Sequence, residues 1–154
     1  MPEGRKDASC ASRAFHTAQD ESDKALAGAR FAESLIAQNK TLEATKAMGD
    51  FMSLLPVLGI GDRLDVLTAA ARVKAASSNT QGALADLQSI INEAHRQGLY
   101  GVELRARLAH GEIKVRSGEK PSGYALLEGL EKEAEARGYA LIARNARLAR
   151  NGSL

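Results

Sequence analysis

A chain of 154 residues can bury a real core, and this one is 44% hydrophobic but only 4% aromatic, with no tryptophan. Its core must therefore come from aliphatic and alanine side chains, which suit closely packed helices and suit a β-sandwich poorly. With 21 basic against 19 acidic residues the net charge is +2, too small for a domain that binds mainly by neutralising phosphates.

The amino-terminal stretch carries Glu3, Arg5, Lys6, Asp7 and Arg13 and no apolar run, so it does not read as a signal peptide. Residues 1–19, with Ser, Gly and mixed charge, are expected to be a flexible segment outside the domain at 20–154, although Phe15 and Ala18 can extend the first helix. The single cysteine, Cys10, has no internal disulfide partner and no activating neighbour in its pattern, so it reads as incidental. A first helix is predicted from about Asp20 to Gln38 and a second from Leu42 to about Leu58, with Pro56 kinking or ending its last turn. Phe51 to Ile60, the longest apolar stretch, is about half a membrane span and is broken by Pro56 and Gly59. The expected address is the cytoplasm, with no membrane partner.

Further along, Asp62 can cap a helix running to about Ser77. After a turn at Ser78-Asn79-Thr80, a helix from Gln81 to Gln97 puts Leu84, Leu87, Ile90, Ile91 and Ala94 on one face. The next helix spans about Gly101 to Arg116. Ser117-Gly118-Glu119-Lys120 then turns the chain, and Pro121 opens a helix that ends at Arg137. A last helix, Tyr139 to about Arg150, is expected to cover the apolar end with Leu141, Ile142, Leu148 and Ala149. Its Arg144, Arg147 and Arg150 are expected in water.

These elements repeat. Gly59, Gly98 and Gly138 stand 39 and 40 residues apart, each followed by an apolar residue, and each is expected to close a helix in the left-handed conformation. The same offsets align Ala32, Ala71 and Gly111, then Ala44, Ala83 and Gly123, as small residues. Larger apolar residues align at Met48, Leu87 and Leu127 and at Phe51, Ile90 and Leu130.

Small residues midway along the first helix and early in the second, an apolar residue one turn later, and Pro56 near a unit's end resemble the tetratricopeptide-repeat superfamily over roughly residues 25–150. The chain departs from that pattern at Gly28, Leu67 and Arg107, where the family has an early aromatic. It departs again at Leu35, Lys74 and Lys114, where the family has a tyrosine, and its unit is about five residues longer than the usual 34. The resemblance implies an all-α fold: a right-handed stack of three antiparallel helical hairpins, an α-solenoid, over residues 20–59, 60–98 and 99–138, with a capping helix at 139–150. It also implies the setting of a larger bacterial regulatory or signalling assembly. In such arrays the first helix of each unit lines the concave side, which here would carry Glu33, Asp65, Thr68, Arg72, Arg105, Leu108, Glu112 and Arg116, with Ile36 as a further apolar position. The family's carboxylate-binding groove uses asparagine and lysine, and no asparagine is expected on this face.

Chemistry is sparse. His16, His95 and His110 fall in three different helices with no HxxxH or CxxC pair. No GxSxG or SxxK motif appears, and Gly59-Ile60-Gly61 lacks the rest of a phosphate loop. His95 sits where a helix C-terminus favours a cation, and His110 takes a position that is Phe31 and Ala70 in the other copies, so it should be partly buried. Glu128–Lys132 and Glu133–Arg137 read as solvated i,i+4 pairs. The sequence thus predicts a non-catalytic scaffold without metal or cofactor that binds a protein or peptide partner. An uncapped amino-terminal face offers a route to a homodimer. The alternative is nucleic-acid association through the basic last helix.

Overall fold

A computed structural model describes the backbone over residues 4–152 and the side chains of Thr17 and of residues 19–152. Among these residues there are seven α-helices and no strand: α1 (Gly4–Ala37), α2 (Thr41–Met52), α3 (Ile60–Ala76), α4 (Thr80–Arg96), α5 (Tyr100–Arg116), α6 (Lys120–Ala136) and α7 (Ala140–Arg150). A single 3-10 turn, Leu55–Val57, separates α2 from α3. The all-α expectation holds. The first helix, however, begins at Gly4 and not near Asp20, so residues 4–19 continue α1 along the backbone. The side chains of Cys10, Phe15, His16 and Ala18 lie outside the described residues.

Consecutive helices pack against each other, and so do α1 with α3, α3 with α5, and α5 with α7. The odd-numbered helices therefore form one row, with α2, α4 and α6 behind it. Three apolar clusters fill the joints. Ala25, Ala29, Ala32 and Leu35 meet Ala44, Met48 and then Val66, Ala69 and Val73. Leu64 and Ala71 meet Leu84, Leu87 and Ile90 and then Val102, Ala106, Ala109 and Ile113. Leu104 and Leu108 meet Leu127 and Leu130 and then Ile142, Ala143, Ala146 and Ala149. Each cluster seals one hairpin onto the next odd-numbered helix, so no hairpin buries its apolar face alone.

The small-residue columns mark where paired helices cross. Ala32, Ala44, Ala71 and Ala83 are buried, and the third pair, Gly111 and Gly123, leaves no free space for a side chain. A Cβ on Gly123 would lie 2.7 Å from Val115 Cγ2, 2.9 Å from Val115 N and 3.2 Å from Gly111 O. At Gly28, where the resemblance puts an aromatic, a Cβ would run into the Phe51 ring. The ring comes from α2 and fills that space instead.

The period of 39 and 40 residues is real, but its conformational marker is not the one expected. Gly98 (φ 67°) and Gly138 (φ 80°) are left-handed. The amide of each donates three residues back, at 3.1 and 3.2 Å, and the next residue, Leu99 or Tyr139, donates five back, at 2.9 and 2.8 Å. Gly59 is not left-handed: at φ −59° and ψ 156° it is the extended residue that starts α3. Pro56 breaks the pattern, because α2 stops at Met52 and the chain crosses to α3 through the 3-10 turn. A better marker is the turn inside each hairpin, where Asn39 (φ 61°), Ser78 (φ 70°) and Gly118 (φ 95°) are all left-handed at the repeat spacing. Nor does Asp62 cap α3, which has no side-chain cap. The side-chain cap is at α4, where Asn79 Oδ1 accepts from the Gly82 amide at 3.1 Å.

Val66, Ala69 and Val73 of α3 face the preceding hairpin, and the equivalent α1 positions, Ala27, Arg30 and Ser34, are exposed. Phe31 beside them is 56% exposed. No helix among the described residues is long and apolar enough to cross a membrane.

Candidate functional site

The odd-numbered row lines one groove of about 1080 Å³. All eight residues expected on the concave side border it, drawn from α1, α3 and α5, and α7 closes one end with Leu141, Ile142 and Asn145. Repetition explains the gathering: Glu33, Arg72 and Glu112 occupy one repeat position in three successive units, and Asp65, Arg105 and Asn145 occupy another.

Most of these charges are already spent on each other. Arg72 stands between two carboxylates, its Nη1 on Glu112 and its Nε 3.3 Å from Glu33 Oε1. The second approach satisfies charge but not direction, and leaves the buried Nε–H without an aligned acceptor. Arg105 grips Asp65 with two parallel bonds, Nε to Oδ1 at 2.8 Å and Nη2 to Oδ2 at 2.7 Å, the fork-to-fork geometry that makes such pairs strong. That hydrogen bonding raises the Arg105 pKa against the opposing effect of burial. Arg30 pairs with Glu33 at 2.9 Å. The ladder thus joins α1 to α3 and α3 to α5. Of the groove's four arginines only Arg116, exposed at the end of α5, makes no ion pair among the described residues.

Two expected contact residues are diverted. Thr68 is buried and donates its hydroxyl to Leu64 O at 2.8 Å, because a helical threonine readily bonds the carbonyl one turn back. Leu108, only 6% exposed, belongs to the third apolar cluster. In their place the groove presents Ile36 and Leu141, the latter 68% exposed. Leu141 was expected to cover the stack. The burying face of α7 keeps the expected Ile142 and Ala149 but completes them with Ala143 and Ala146. Two asparagines also line the groove, Asn39 and Asn145, where the sequence reading expected none. Asn145 could have been found by extending the Asp65–Arg105 offset once more.

The basic face of α7 is also not what it looked like. Arg147 Nε reaches Glu131 Oε1 at 2.6 Å, its Nη2 reaches Glu135, and Arg150 Nη2 reaches Glu131 Oε2 at 3.0 Å. Glu131 is 7% exposed, and a buried carboxylate needs such partners. Two of the three arginines offered for nucleic acid therefore pin α7 to α6, leaving Arg144 in water.

On the other side of the α5–α6 joint, the expected Glu133–Arg137 pair does not form. Glu133 accepts from the Tyr100 hydroxyl at 2.6 Å and pairs with Arg107 at 2.8 Å, and the Tyr100 bond is the main cause of its lowered pKa. Arg137 instead lies over the Tyr100 ring at 4.5 Å, and Tyr139 meets that ring edge-on at 5.5 Å between centroids. Glu128–Lys132 does form, at 2.7 Å. His95 Nδ1 sits 3.1 Å from Glu103 Oε2 near the end of α4. His110 is half-buried, and that burial, with Lys114 nearby, lowers its pKa. Among the described residues no group of three or more His, Cys, Asp or Glu is arranged to hold a metal ion. A scan against protein-family models and searches of curated proteins and of solved structures give no match to this chain.

Proposed function

We propose that this chain is a non-catalytic, tetratricopeptide-like scaffold whose odd-numbered helices hold a peptide or a helix of a partner protein. In this reading the hairpins stack as a right-handed solenoid with α7 as its cap, and the chain serves a larger regulatory assembly in the cytoplasm. One observation carries the reading. A groove of about 1080 Å³ is built from the same register positions of successive units, with a neutralised ionic ladder, exposed Leu141 and Asn39, and half-buried Ile36 and Asn145. Polar floors flanked by a few apolar anchors suit peptide recognition, in which anchors supply affinity and polar groups fix register.

The ladder also decides which residues can test the idea. Reversing Arg72 or Arg105 would break staples between helices, so lost binding there would have two causes. Leu141 is exposed, and Leu141→Asp changes the groove without opening the core. A random peptide library selected on the chain should yield binders that Leu141→Asp loses and Arg144→Glu retains. Binders indifferent to Leu141→Asp, or no enrichment at all, would remove the groove from consideration.

A further inference from the structure

Beside the groove, between the end of α3, the start of α4 and the end of α5, lies a smaller pocket of about 250 Å³. Ala75, Ala76 and Ile113 form its apolar wall, and Arg72 and Arg116 border both it and the groove. Of its four polar side chains, Arg116 and Thr80 have no hydrogen-bond or ion-pair partner among the described residues, while Arg72 and Ser117 are engaged. Arg116 has five N–H donors and no ion pair among the described residues, whereas Arg72 is held by Glu112 and Glu33. The Ser117 hydroxyl is spent on Lys114 O at 3.0 Å. No carboxylate lines the pocket, and the three carboxylates of the neighbouring groove are already paired.

We infer that this pocket is the anchor of the groove and takes one carboxylate side chain of an acidic partner peptide, with Arg116 as the principal contact. A planar carboxylate matches a guanidinium fork, the unanswered donors of Arg116 call for an acceptor-only group, and the apolar wall strengthens the contact by excluding water. The assignment rests on the groove reading above and adds the chemistry of the partner: an acidic residue whose side chain leaves the groove between the second and third units.

The test is fluorescence anisotropy of labelled octaglutamate titrated with the whole chain at low salt, against labelled octaglutamine. Octaglutamate should bind and octaglutamine should not. Arg116→Ala should weaken binding by about tenfold or more, as expected for losing a charge-assisted contact. Arg116→Lys should fall between the two, since it keeps the charge and loses the fork. Arg144→Ala, outside the groove, should bind like the wild type. Arg116 is exposed and unpaired, so these variants should fold, and far-UV circular dichroism checks it. Wild-type affinity in Arg116→Ala, equal binding of both peptides, or no binding of octaglutamate overturns the anchor. In that event library binders that still depend on Leu141 keep the groove reading intact, whereas binders independent of Leu141 remove the groove as well.

Discussion

Two glycines on α6 should respond in opposite directions to the same substitution. Alanine in place of a helical glycine stabilises by about 1 kcal/mol through backbone entropy, and at Gly129, with open space around its Cβ position, nothing opposes that gain. At Gly123 the new methyl would press on Val115 Cγ2, on the Val115 backbone nitrogen and on Gly111 O. Two of those three neighbours are backbone, so α5 and α6 must separate, and overpacking of this kind costs about 1–3 kcal/mol. Gly129→Ala should therefore stabilise by about 0.5–1 kcal/mol, while Gly123→Ala should range from neutral to about 2 kcal/mol destabilising. The propensity gain cancels in the difference between the variants, which isolates the cost of the crossing at about 1–3 kcal/mol. In thermal melts followed by circular dichroism this is about 2–4 °C per kcal/mol for a chain of this size, and urea titrations give the free energies directly. Gly111→Ala should be milder, because the two atoms its Cβ would crowd, Leu127 Cδ2 and Cγ at 2.8 and 2.9 Å, belong to a side chain, and the backbone Gly123 O lies at an ordinary 3.8 Å. Equal stabilities for Gly123→Ala and Gly129→Ala would refute the close-crossing account.

Arg72→Ala should cost about 1–3 kcal/mol in urea unfolding, because it leaves the buried Glu112 carboxylate without its partner. Replacing Arg72 and Glu112 together by leucine should recover most of that loss, and a harmless single variant would show the ladder to be incidental. His110 has a lowered pKa in the folded chain, so the unfolded chain binds its proton first as pH falls. Its contribution is complete above the unfolded value of about 6.5 and is lost as pH drops through the lower folded value. His110→Gln should accordingly flatten stability against pH over that window, and an unchanged slope would contradict the burial. Asn79→Ala removes the cap on the Gly82 amide and should destabilise by about 0.5–2 kcal/mol, whereas Asp62→Ala, which caps nothing, should not show that loss.

Much of the fold was legible because the signals are local. A helix is announced by apolar spacing and ended by turn residues, so the limits of α4 to α7 fall within one residue of those expected from sequence, while the cap of α3 lies three residues before the expected Asp62. The repeat was legible because a crossing tolerates only small side chains, which forces alanine or glycine at the same place in every unit. Gly59 misled because a glycine between helices can start the next as well as end the last, and Pro56 had already stopped α2 upstream. The eight groove residues came from the resemblance, which puts the first helix of each unit on the concave side, combined with counting along the repeated helices.

What counting could not supply is direction and partnership. Whether Leu141 faces the core or the groove depends on the rotation of α7 against α5 and α6, and small alanines at 143, 146 and 149 allow a rotation that turns the leucine outward. Whether Arg72, Arg105, Arg147 and Arg150 are free or engaged depends on carboxylates brought within reach from helices distant in sequence. Sequence by itself determined the all-helical repeat, its period and its crossing points, because those follow from backbone geometry and side-chain size within one unit. Tertiary structure alone decided which charges cancel and left Arg116 without an ion pair among the described residues, because an ion pair forms between helices whose separation no local pattern records.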